Sequence, residues 1–282
     1  MPRWSSYEVP VDTGLFCPLG LQPTAVCRLG FNAAGRWLGR HAISHRRLVA
    51  EHDTGLVVWA VQLAFEGPVG FFDADFLEMR VSCRVRGAGT QLECRAELDG
   101  PLDTKALLQA CCVPLELGGD AALSGRPARL GPEVMAAFHP DEVEARPHRS
   151  PLPALRAAVV AGGAALACGR TPFQIHRHQC EVADQWFWPE AVSLAAAGRE
   201  ELVQAAAERA PQLLSALRTP VRRLDLLFNR PFFLFEEGEV RSSAHQWEGR
   251  LVFIHELAGA DDERPRALVA EQFSLPEGGS WD

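Results

Sequence analysis

The feature that most constrains this chain is that it says nearly the same thing twice. Val61–Leu98 opens with an alternating apolar run ending at Phe65, and Leu224–Leu257 opens with one ending at Phe228. Each Phe is followed three residues later by proline, Pro68 and Pro231. Aromatics and acids come next, Phe71-Phe72-Asp73 in one copy and Phe233-Leu234-Phe235-Glu236 in the other. Two alternating runs then flank a turn, "GAGT" (87–90) and "WEGR" (247–250). A last strand-like piece closes each copy, Ala106–Leu117 and Ala267–Leu275. Period-2 alternation with turn residues between predicts antiparallel strands. A repeat of this kind commits the chain to two copies of one unit.

Upstream the correspondence continues. Val11–Leu21 lies against Val182–Val192, matching Phe16-Cys17-Pro18 with Phe187-Trp188-Pro189, and a helical pattern follows both. Each unit therefore reads as strand, long helix, then several antiparallel strands, an α+β arrangement with one helix facing a curled sheet. Phe16 and Phe65 are 49 residues apart and Phe187 and Phe228 only 41, so the first unit carries an insertion, placed in "GRHAISHRRLVAEHDTG" after its helix. The domain reading is a first unit over 1–117, an ordered linker over 118–172 rich in Gly, Pro, Ala and Arg, and a second unit over 173–282.

Composition narrows the partners. A net charge of -8 offers no basic face for nucleic acid or an anionic membrane. No run of about twenty uncharged apolar residues exists to span a bilayer. The start, "MPRWSSYEVP", lacks the apolar core of a signal peptide. Eight cysteines form no C-x-x-C pair, so most read as small buried hydrophobes in a reducing cytoplasm, with no zinc site.

The second unit resembles the hotdog-fold acyl-thioesterases of the hydroxybenzoyl-CoA thioesterase branch. The features are an acid after the first strand, a helix carrying "GREELV", and then "LFNRPFFLFEEGEV", "GRLVFIHEL" and "ALVAEQF" in order. The match covers about 174–275, and a weaker one covers about 7–117, so the whole resembles a tandem double hotdog. The resemblance implies hydrolysis of an acyl-CoA or acyl-carrier-protein thioester bound where two such units meet, with no cofactor, in a monomeric double hotdog or a homodimer. It makes Asp184, just before the helix, the nucleophile or general base, with helix N-terminal amides polarising the carbonyl.

Residue chemistry fits that role. A helix N-terminus presents unpaired N–H groups and a positive dipole end, which can steady an oxyanion. A carboxylate amid Trp186, Phe187 and Trp188 would be partly desolvated and so a stronger base. The loop "QWFWPE" is shorter than the family's, and Pro189 has no N–H, so Glu190 or Ala191 must supply the amide, with Glu190 a second candidate acid. Trp186, Phe187, Trp188, Ala191, Arg230 and Phe232 are candidate substrate contacts. In the first unit Thr13 aligns with Asp184 and Leu19 with Glu190, while Asp12 stands one residue off, so one working site is expected.

Other readings remain beside these. Asp184 is also a good turn or N-cap residue. Arg199, Glu200 and Glu201 read as a solvated helix patch, and His176 and His178 as neighbours on one face of a strand. His245 and His255 read as buried, satisfied histidines. His41, His45 and His52 with Arg46 and Arg47 form a basic patch that suits surface or phosphate contact. The alternatives to hydrolysis are dehydration, acyl transfer with decarboxylation, or acyl binding without turnover. Dehydration is disfavoured because no "H-F-P-x-x-P" segment is present. The Ala and Arg bias points to a GC-rich bacterial source and to lipid or secondary metabolism.

Overall fold

The computed structural model describes residues 1–67, 69–100, 103–117, 125–182 and 184–274. The repeat marker Pro68, the first residues of the linker, 118–124, and the strand-end Leu275 lie outside the described residues. The chain divides into two units, Met1–Cys17 with Ala25–Arg149, and Pro18–Thr24 with Ser150–Asp282.

From the N-terminus, β1 (Ser5–Pro10) leads through the short β2 (Phe16–Cys17) and β3 (Gly20–Leu21) to α1 (Pro23–His41) and α2 (His45–His52); of these, β3 and the first two residues of α1 fall in the segment Pro18–Thr24 that divides with the second unit. The sheet follows: β4 (Thr54–Phe65), β5 (Phe76–Arg86), β6 (Gln91–Asp99) and β7 (Thr104–Leu117). Its spatial order is β1-β5-β6-β7-β4, antiparallel throughout. α1 buries Val26, Cys27, Gly30, Ala33, Ala34, Trp37 and Leu38, the spacing of one helical face. At Gly30 a Cβ would stand 2.1 Å from Leu108 Cδ2, so the helix meets the sheet at backbone distance. α2 occupies the insertion that the repeat spacing located, and Ser44 caps it by accepting the Arg47 amide.

Residues 125–149 complete this unit. β8 (Gly125–Pro127) pairs with β7, α3 (Pro132–Ala136) follows, and β9 (Val143–Glu144) runs parallel to β5. Glu142 is fully buried there. It accepts from the Arg3 amide at 2.8 Å, from Arg3 Nε at 2.9 Å and from the His139 amide at 2.9 Å.

The second unit begins with α4 (Leu152–Gly162) and β10 (Ala164–Gln174), then α5 (Glu190–Ala206). Four strands complete it: β11 (Arg223–Phe228), β12 (Glu237–Trp247), β13 (Arg250–Ala258) and β14 (Ala267–Ser274). Their order is β10-β12-β13-β14-β11, again all antiparallel. Strand for strand this repeats the first unit. β4 ends at Phe65 and β11 at Phe228, the markers of the repeat. The β12–β13 hairpin turns on Glu248 and Gly249, both at positive φ (47° and 70°), the two-residue turn whose twist suits a hairpin. The span read as a linker thus holds β8, α3, β9, α4 and most of β10, shared between the units.

α5 is an Ala- and Leu-rich helix. It buries Ala191, Val192, Ala195, Gly198, Leu202, Val203 and Ala206 on one face. Gly198 permits the close approach, since a Cβ there would lie 2.8 Å from Ser242 Oγ and 2.9 Å from Val240 Cγ1. Each unit is therefore a long helix held against a curved antiparallel sheet, the α+β double arrangement expected. No helix of the described residues is long and apolar enough to cross a membrane.

Candidate active site

The segment between β10 and α5 folds as a tight hairpin. The Phe187 amide donates to the Gln179 carbonyl at 2.7 Å and the Glu181 amide to the Gln185 carbonyl at 2.8 Å. Its outer edge is pinned to the strand-to-strand loop of the repeat: Trp186 N–H donates to Phe232 O at 2.8 Å, and Leu234 N–H to Asp184 O at 2.8 Å. Asp184 sits at the turn with φ +53°, a left-handed conformation that Asp tolerates.

Asp184 is not desolvated. Its side chain is 61% exposed and accepts from Arg177 Nη1 at 3.1 Å. The aromatics meant to shield it pack away from it. Trp186 lies 5.2 Å from Phe232 and 5.9 Å from Phe228, centroid to centroid, and Trp188 lies 6.5 Å from Phe228. Trp186, Trp188 and Phe232 are buried in the core, while Phe187 is half-buried.

The carboxyl that burial does push upward is a neighbour that sequence reasoning passed over. Glu181 is half-buried, and desolvation raises its pKa, with the hydrogen bond from Gln185 Nε2 acting in the opposite direction. Its only sequence signal is its place three residues before Asp184.

Glu190 is buried, 7% exposed, in the first turn of α5. The amides expected to polarise a carbonyl are already engaged. Glu190, Ala191 and Val192 N–H donate to the carbonyls of Phe187, Trp188 and Pro189 at 2.9, 3.2 and 3.1 Å. Pro189 starts the helix in a tight turn that consumes its own donors, so the oxyanion role expected of Glu190 and Ala191 meets amides that already have acceptors. Glu190 is the one carboxylate in the first turn of this helix.

Arg230 is 57% exposed and paired with Asp262, so it reads as a loop cation with its own counter-ion. Asp262 also takes Arg266 Nε at 2.7 Å, and Arg266 lies 4.3 Å over the Phe232 ring. Of the residues that align with these in the first copy of the repeat, Asp12 caps a short turn, accepting the Gly14 amide at 2.6 Å, Thr13 is exposed and Leu19 is half-buried.

Two expectations change, those for the histidine pair and for Arg199. His176 and His178 are not on a strand; His176 caps a 3-10 turn (Arg177–Gln179) that contains His178, with the two rings stacked at 6.0 Å. The basic patch is in part self-satisfied, with His41 on Ser5 Oγ at 2.8 Å and Arg47 on Glu51 at 2.7 Å. Arg199 is not solvated. It is 8% exposed and donates to Glu271 Oε1 at 2.5 Å.

Arg199 begins a buried chain. Glu271 Oε2 lies 3.2 Å from His255 Nε2, and His255 Nδ1 lies 2.8 Å from Ser242 Oγ. Ser, His and Glu are the groups of a nucleophilic triad, but here they are 4%, 0% and 1% exposed, between α5 and its sheet. They act as a polar brace. The pattern that would have found it is alternation: Ser242 shares the phase of Val240 and Ala244, His255 that of Phe253 and Leu257, and Glu271 that of Val269 and Phe273, all core residues. Among the described residues, no three His, Cys, Asp or Glu side chains stand close enough to hold a metal ion.

Helix and strand order define each unit as a hotdog fold, and the chain as two of them in tandem. Solved structures agree over the full length. A protein assigned as an oleoyl thioesterase from Lactobacillus plantarum superposes with a TM-score of 0.75, covering 98% of both chains at 12% identity. The 12:0-ACP thioesterase from Umbellularia californica gives 0.69, covering 95% of this chain and 93% of its own at 11% identity. An acyl-ACP thioesterase from Bacteroides thetaiotaomicron gives 0.62, covering 95% and 96% at 9% identity. No protein-family model and no curated protein sequence matches the chain.

Proposed function

We propose that this protein is an enzyme that hydrolyses acyl thioesters, with an acyl carrier protein or coenzyme A as the thiol partner. Support comes from the full-length likeness to three tandem-hotdog proteins that bear thioesterase names. The observation that carries the reading at residue level is Glu190, a carboxylate 7% exposed at the start of the central helix of the second unit. The positive end of the helix complements its charge.

In this reading Glu190 is the general base. It takes a proton from water as the water oxygen bonds to the thioester carbonyl carbon. The tetrahedral intermediate then collapses, the C–S bond breaks, and the proton passes to the departing sulfur. Free acid and free thiol result, and Glu190 is again a carboxylate. Asp184 stands as the second candidate nucleophile or base, its exposed carboxylate held by Arg177. The buried rings of Trp186, Trp188 and Phe232 pack under the hairpin that carries Asp184 and leads into the helix that carries Glu190.

The test is thiol release from a panel of acyl-CoA and acyl-carrier-protein thioesters, with product masses. Glu190→Gln should lower kcat by about 10²–10⁴-fold, the usual worth of a general base. Release unchanged in Glu190→Gln but lost in Asp184→Asn moves the chemistry to Asp184. Binding of thioester without turnover by the unaltered protein rejects hydrolysis.

A further inference from the structure

The second unit carries a cleft on the sheet face turned away from α5. Ser242 and Val240 of β12 point at Gly198 of α5, so their neighbours Arg241 and Ser243 point the other way. There they meet Arg156 and Val160 of α4, and Cys168 and Arg170 of β10, around a cavity of about 430 Å³. That volume lies within the range of small-molecule sites, about 300–1,000 Å³.

The cleft is lined by cations. Three guanidiniums face two carboxylates: Arg156 pairs with Glu256, while Arg170 and Arg241 share Glu239. One positive charge is left over, on a protein of net charge -8. Among the described residues Arg156 donates through Nη2 alone, Arg170 through Nη1 and Arg241 through Nε. Among the described residues the other N–H groups of these three guanidiniums have no acceptor, and a guanidinium fork suits a carboxylate or phosphate. Val160, 58% exposed on α4, and Ile254 of β13 give the cleft an apolar wall. Ser243 adds a hydroxyl, 3.1 Å from His245 Nε2, and the buried Nδ1 of that histidine has no hydrogen-bond partner.

We propose that this cleft binds an amphipathic anion, an apolar body with a single carboxylate or phosphate head held by Arg156 and Arg241. The proposal is independent of the reaction assigned to the helix start. It is read with Cys168, whose exposed thiol lines the cleft, against Cys17, exposed in the other unit. The full-length protein is alkylated with iodoacetamide and each cysteine followed by peptide mass. Decanoate at about four times its dissociation constant should slow Cys168 about fivefold and leave Cys17 unchanged. Decanol should protect neither. Decyl phosphate replaces decanoate in a parallel arm, and protection by either supports the site and identifies the head group. The Arg156→Gln/Arg241→Gln pair should lose the protection. So should Val160→Glu, which sets a carboxylate at the rim and leaves both arginines in place. Absence of protection by both anions, equal protection by decanol, or undiminished protection in the folded variants overturns the proposal.

Discussion

A carboxylate shut inside a protein is stable only while its partners remain. Glu271 shows the balance: burial pushes its pKa up, and the charge of Arg199 with the hydrogen bond from His255 pulls it net below the usual range. Replacing Glu271 with Leu leaves the buried guanidinium of Arg199 only its long 3.4 Å contact with the exposed Glu200, and should cost about 3–5 kcal/mol in urea unfolding, with much of that recovered in Arg199→Met/Glu271→Leu. Glu142 makes a pH prediction. Burial raises its pKa, but the hydrogen bonds of Arg3 and His139 outweigh this and hold it at about 2, below the ordinary 4.5. A depressed carboxyl stabilises the fold above its unfolded pKa, and that contribution fades as pH falls through the folded one. Stability should therefore decline between about pH 4.5 and 2, and Glu142→Gln should flatten that decline in pH-dependent urea titrations. Residue type alone misplaced Arg199. Its neighbours Glu200 and Glu201 make the stretch look solvated, and only the helical phase shared with Ala195 and Leu202 puts Arg199 on the buried face.

At the scale of elements, the fit of helix to sheet rests on small residues. Gly198→Ala adds a Cβ against Val240 Cγ1 at 2.9 Å, and the β-branched Val240 has little rotamer freedom to yield. Overpacking of this kind costs about 1–3 kcal/mol and should outweigh the gain of about 1 kcal/mol in helix propensity, so chemical denaturation should show a net loss. Strands were legible because alternation survives in both copies, and the insertion at α2 was legible from one difference in spacing. The hairpin before α5 was not. Its course depends on backbone bonds to Phe232 and Leu234, about fifty residues away in sequence. Without that pairing Asp184 seems enclosed by the aromatics beside it, whereas the turn throws it outward and Trp186 inward. Glu181, held half-buried on the same hairpin, titrates upward instead. If it takes part in the chemistry, the acid limb of the kcat/KM profile will sit above the ordinary Glu range and move in Glu181→Gln; an unmoved limb assigns it to the loop alone.

For the molecule as a whole, the tandem arrangement was the most legible level, because a repeat needs no single strong motif to be seen. Its strand order recurs without exception, β1-β5-β6-β7-β4 and β10-β12-β13-β14-β11. The chemistry is harder to read, since a shared fold hosts many reactions and the site decides among them. The most direct test of the account is product analysis after incubation with an acyl-carrier-protein thioester, unaltered protein beside Glu190→Gln. Unaltered protein should release the free carboxylic acid and the free carrier thiol, and the variant should lose that release by about two orders of magnitude or more. Equal release by both would contradict the role of Glu190, and no free acid from any thioester would contradict the hydrolase itself.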